Sequence, residues 1–177
     1  MTKIVDLRTY RTKTAEQRGF GPWLKRFGES YNKKTRLSDL SAQSLYFLAQ
    51  PGENSAVAYY ELIMGVLGLG EAIKFYYLDQ KEQMMIMDIH LFLADQIRFE
   101  MMHRLGWLDN FPCSNFALLE IVQDFNQVKI KCKDKHLELA KSHPDYNAYR
   151  KLTRGDKDVF IRRMLRNALE VFKEQVE

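Results

Sequence analysis

From Met84 to Leu105 the apolar residues point in every direction around a helix. Met84, Ile86, Met87, Ile89, Leu91, Phe92, Leu93, Ile97, Phe99, Met101 and Met102 cannot share one stripe at helical periodicity. A helix that is apolar all round has to be covered all round. The segment is therefore expected to be the central, largely buried helix, around residues 80–106, of an all-α bundle. Helices at 54–69, 115–141 and 157–177 are available as its cover. The alternative is that one side, the one bearing Phe92 and Phe99, stays open and meets a second copy or another protein.

The rest of the chain carries helical periodicity and almost no strand signal. "TKIVDLRTYRTKTAEQR" reads as a short basic helix, and Pro22 is placed to open a second one with Trp23, Leu24, Phe27 and Tyr31 on its stripe. "LSDLSAQSLYFLAQPGE" starts at a Ser or Asp cap and stops at Pro51-Gly52. Asn54 or Ser55 is expected to cap "AVAYYELIMGVLGLG", and a further helix is expected to run from "EAIKFYYLD" onward to Leu105. Gly65, Gly68 and Gly70 between them mark a kink, a close helix crossing or a turn. Phe116, Leu119, Val122, Phe125, Val128 and Cys132 suggest one long helix ending near Ser142. A short helix follows Pro144, and a last one after Gly155 carries the stripe Phe160, Met164, Leu165, Ala168, Leu169, Phe172 and Val176.

Composition excludes two classes. With 46% hydrophobic and 28% charged residues the chain is neither disordered nor a membrane protein. Its longest uncharged run, Leu40 to Gly52, contains Ser and Gln and ends in Pro-Gly, far from the roughly 20 apolar residues of a spanning helix. Residues 1–36 form a basic N-terminal helical arm and 37–177 the bundle core, within a single domain of 177 residues. Lys and Arg outnumber Asp and Glu by 10 to 4 over residues 1–40, whereas the reverse holds by 9 to 4 over residues 41–110. Lys3, Arg8, Arg11, Lys13, Arg18, Lys25 and Arg26 can therefore lie on the acidic middle of the chain or meet phosphates of a nucleic acid. "MTKIVDLRTYRTK" lacks the apolar core of a secretory signal. Cys113 and Cys132 follow no metal spacing and read as free thiols of a reducing cytosol. A cytoplasmic location is the expectation.

"GVLGLG" lacks the order and context of a dinucleotide loop, and no Lys-Ser/Thr follows its last glycine, so helix packing or a turn explains it. Ser, His and Asp occur in no nucleophile-elbow setting. His136 and His143 flank a Lys-rich helix end, where positive charge suits the helix dipole. Met84, Met85, Met87, Met101 and Met102 read first as core filling, or as the lining of an adaptable partner groove.

Polar residues of the central helix are sorted by their neighbours three and four positions away. Asp95 has Arg98, and Glu100 has His103 and Arg104. Asp88, His90 and, earlier, Glu61 have only apolar or small neighbours at those positions. A carboxylate so placed needs water, a cation from another helix, a hydrogen-bond network or a metal. The candidate buried polar site is therefore Glu61, Asp88, His90, Asp95, Arg98, Glu100 and His103.

Two chemistries fit parts of that set. Glu100-Met-Met-His103 has the Glu-x-x-His spacing that bundle metal sites use, with Asp88, Asp95 or Glu61 as further ligands. Arg98-Phe-Glu-Met-Met-His103 resembles the Arg-x4–6-His signature of the HEPN helical nucleases. That resemblance implies RNA cleavage, with Arg98 stabilising charge on the phosphate and His103 moving a proton. Because five positions separate the two on one helix, such a site requires a kink or a second copy. The favoured expectation is a binding or assembly role without evident catalysis and without a cofactor. The partner is expected to be a second copy or another protein, nucleic acid is at most a weak partner, and no membrane partner is expected.

Overall fold

The computed structural model describes residues 6–177 apart from 110, 112 and 134, so Lys3 of the basic arm lies outside the described residues. Among the described residues there are helices and two isolated bridges, Arg36 with Ala117 and Leu108 with Leu139, and no sheet. The fold is an all-α helical bundle. None of its described helices is long and apolar enough to cross a membrane.

Helix α1 spans Leu7–Phe27 and runs unbroken through Pro22, where two helices were expected. Two features permit this. Gly21, directly before the proline, has no Cβ to strike the pyrrolidine ring, and packing holds the helix on both sides of Pro22. Phe20 and Trp23 are buried, and Trp23 Nε1 donates to Ala58 O at 2.8 Å. After a 3-10 turn at Leu37–Asp39, α2 (Ala42–Ala49) begins with Ser41, whose hydroxyl accepts from the Ser44 amide. Helix α3 (Glu53–Leu67) starts at Gly52, slightly before the expected cap, and ends with Gly68 in the left-handed region at φ 71°.

The glycines divide their work. A Cβ on Gly65 would lie 2.5 Å from Arg18 O, so the backbones of α1 and α3 touch there. Gly68 and Gly70 have positive φ and turn the chain. The segment after them is a 3-10 turn, Ala72–Tyr77, and not the start of the central helix. Helix α4 begins after Asp79, whose carboxylate accepts from the Glu82 amide at 2.8 Å, and spans Gln80–Arg104.

Helix α4 packs against α2, α3 and the final helix. The expected long helix at 115–142 is instead α5 (Leu118–Gln123) and α6 (Phe125–Cys132), separated by a kink at Asp124. Farther on, Leu139 bridges Leu108. The cysteines are not free thiols: Cys113 and Cys132 form a disulfide that ties the end of α6 to the loop before α5. Three more helices follow, α7 (Tyr146–Tyr149), α8 (Arg154–Arg163) and α9 (Leu165–Val176), the last two divided at Met164. One apolar cluster extends from Ala15 to Phe172.

Candidate functional site

The broken cover over α4 creates the site region. Phe92 of α4 meets Phe125 of α6 edge to face, with ring centres 5.5 Å apart. On each side of that contact a groove opens between α4 and the chain from 122 to 137.

The first groove encloses about 1160 Å³ beside the N-terminal half of α4. Its walls include Met84, Met85 and Ile89 from α4 and Val122 and Phe125 from α5 and α6. Its rim is acidic, with Asp79, Glu82, Asp88 and Asp124 against a single Lys81. The outer face of α4 is equally apolar: Met84, Met87 and Leu91 are 58%, 46% and 61% exposed. The methionine cluster is thus split, since Met101 and Met102 are core while Met84, Met85 and Met87 face outward. The open side of the helix is this one. Phe99 is buried and Phe92 packs against Phe125, so neither belongs to this exposed stripe, although both line the second groove.

The second groove, about 780 Å³, lies beside the C-terminal half of α4 and reaches α8. Phe92, Phe99 and Leu137 supply apolar surface, and Lys129, Lys133, Lys135 and Arg154 supply charge. Gln96 stands at its base, 4% exposed, and its Oε1 has no hydrogen-bond partner.

The seven residues singled out from sequence do not converge. Glu61 meets Arg26 of α1 in a forked pair, Oε1 to Nη2 at 2.8 Å and Oε2 to Nε at 3.4 Å. Asp88 is exposed on the first groove, with no cation within ion-pair distance among the described residues. His90 lies against the rings of Tyr59 and Tyr60, at 4.8 and 5.3 Å. Burial, followed by the charge of Arg98, pushes its pKa down. Asp95 pairs with Arg162 of α8 at 2.8 Å and more loosely with Arg98 at 3.9 Å.

Arg98 Nε donates to Ala49 O at the C-terminal end of α2, where positive charge is favourable. Glu100, 4% exposed, accepts from Arg104 Nε at 2.9 Å, and Arg104 also donates to Leu37 O and Ser38 O in the 3-10 turn. His103 is exposed, with Nδ1 2.8 Å from Leu108 O. Glu100 and His103 therefore address different neighbours, as do Arg98 and His103. No three His, Cys, Asp or Glu side chains among the described residues come together to hold an ion.

Sequence reasoning passed over Gln96 and the lysines opposite it. Gln96 has Phe92, Leu93 and Phe99 at three and four positions away but also Glu100, so the local-partner criterion that drew attention to Asp88 did not single it out. The run "KIKCKDK" at 129–135 reads as a solvated helix end unless its neighbour in space is known. No family model matches the chain, and no curated protein and no solved structure is similar to it.

Proposed function

We propose that the protein is a binding and assembly module whose acidic, methionine-lined groove receives a basic amphipathic helix, and that the occupant is the start of α1 from a second copy. The observation that carries this reading is the exposed stripe Met84, Met87 and Leu91 beside Asp79, Glu82, Asp88 and Asp124. Flexible thioether side chains suit a surface that moulds itself to an incoming helix. An apolar face of this kind on a soluble protein usually has a partner.

The first turns of α1 carry the complementary chemistry. Leu7 and Tyr10 are exposed one helical turn apart, among Arg8, Arg11 and Lys13. Farther along, the arm is used internally: Arg18 Nε donates to Gly65 O and Arg26 pairs with Glu61. Its charge is thus divided between holding α1 on α3 and remaining available for a partner. Reciprocal docking of two such arms gives a closed two-fold dimer, the commonest symmetric solution.

Light scattering coupled to gel filtration tests the proposal. A mass of two chains at tens of micromolar is expected, falling toward one chain on dilution and at higher salt, because exposed charge pairs are screened. Met84→Ser with Leu91→Ser, and separately Leu7→Ser with Tyr10→Ser, should each yield monomers. Arg11→Glu should weaken the dimer and Asp88→Lys should partly restore it. A single-chain mass unchanged on dilution rejects the second copy as occupant, and a dimer indifferent to all these changes rejects the groove.

A further inference from the structure

The second groove differs from the first in charge, and its chemistry points to a different kind of ligand. We infer that it binds a nucleoside monophosphate, with the phosphate among Lys129, Lys133, Lys135 and Arg154 and the base edge against the amide of Gln96.

Size comes first. A groove of about 780 Å³ lies within the range of small-molecule sites and holds one such unit. Charge is the second consideration. Arg162 is already engaged by Asp95 and Lys129 stands over the Phe125 ring at 5.5 Å, but Lys129, Lys133, Lys135 and Arg154 all line a groove whose one described carboxylate is Asp158. Asp134 stands between two of these lysines in sequence but outside the described residues, and counting it still leaves cations in excess. That excess matches the roughly two negative charges of a phosphate monoester better than the single charge of a carboxylate.

Gln96 is the third consideration, and it makes the site more than a basic patch. Its side chain is nearly fully buried at the groove, yet Oε1 has no partner, whereas buried polar atoms in proteins are almost always satisfied. Oε1 is itself shut off from solvent, and rotation about the last torsion, which exchanges the acceptor and the donor of the amide, is what brings it to the groove. The complementary pattern, a donor beside an acceptor on a flat edge, is that of a nucleobase. Phe92, Phe99 and Leu137 supply the apolar surface on which its body can rest.

The test is calorimetric titration of the full chain at low salt with each of the four nucleoside monophosphates, with adenosine, with inorganic phosphate, and with a short 5′-phosphorylated oligoadenylate. At least one monophosphate should bind saturably, and adenosine and phosphate alone should each bind at least about tenfold more weakly. Lys133→Glu with Arg154→Glu, both exposed and away from the core, should abolish binding. Gln96→Leu should weaken the monophosphate by about tenfold while leaving phosphate unchanged, with the melting transition confirming that the variant folds. The oligomer should bind about as well as its monomer. Absence of saturable binding for all four monophosphates, or binding unaffected by the charge reversals, overturns the site. A far tighter oligomer overturns the single-nucleotide reading in favour of a strand. None of these outcomes depends on whether the chain dimerises through its other groove.

Discussion

His90 lies half-buried between Tyr59 and Tyr60, a setting that favours neutral imidazole. Its folded pKa is lowered from 6.5 by burial and then by Arg98. Between that lowered value and 6.5 the unfolded chain binds more protons than the folded one, so stability rises with pH across the window and falls as pH drops through it. Urea midpoints from pH 8 to pH 5 should show the advantage of the wild type over His90→Gln shrinking below about pH 6.5. A difference independent of pH would refute this account. The ion pairs can be ranked in the same way. Glu100 is buried, and its removal takes the carboxylate from a partly solvated Arg104 that keeps its bonds to Leu37 O and Ser38 O, so Glu100→Ala should cost about 1–3 kcal/mol. Glu61 and Arg26 are both partly solvated, and Glu61→Ala should cost under about 1 kcal/mol despite the forked geometry. Denaturation of both variants checks the order.

Among the elements, the crossing of α1 and α3 is the least forgiving. Gly65→Ala would drive a Cβ into Arg18 O, and backbone cannot swing aside as a side chain can. Overpacking of that kind costs about 1–3 kcal/mol, a fall of roughly 2–10 °C in melting temperature for a chain of this size. Gly155 in the first turn of α8 faces open space with no positive φ, so Gly155→Ala should raise stability by up to about 1 kcal/mol. The kink between α5 and α6 was legible in retrospect from spacing. Phe116, Leu119, Val122, Phe125 and Val128 recur every third residue, and each such step falls about 60° short of a full helical turn. One straight helix cannot keep all of them inside, and the kink at Asp124 resets the phase so that Val122 and Val128 are both buried. Pro22 misled in the other direction, because its breaking tendency is overridden by the burial of Phe20 and Trp23.

For the whole molecule the Cys113–Cys132 bond is a covalent constraint at the edge of the apolar cluster, with both cysteines buried. It closes a loop across 19 positions and fixes one wall of the basic groove. Replacing both cysteines by Ser should cost about 2–4 kcal/mol and loosen α6, observable as faster amide exchange over residues 125–132. The pairing also removes the free-thiol support for a reducing cytosol. Rapid alkylation of the protein in freshly lysed cells should find no reactive thiol, whereas two alkylated cysteines would show that the bond is open in its own compartment.

Helical periodicity was enough to specify an all-α bundle and to place its central helix close to Gln80–Arg104, because the burial demand of an apolar segment is written in its own residues. It was also enough to mark Glu61, Asp88 and His90 as lacking local partners. Their destinations are another matter. Glu61 finds Arg26 across 35 positions, His90 finds the two tyrosines of α3, and Asp88 finds solvent at a groove. Neighbours three and four residues away are set by the helix alone, whereas pairing between helices depends on how each is rotated and where its neighbour breaks. The kink at Asp124 decided that α4 would be covered only in part, and with it where the two grooves would open.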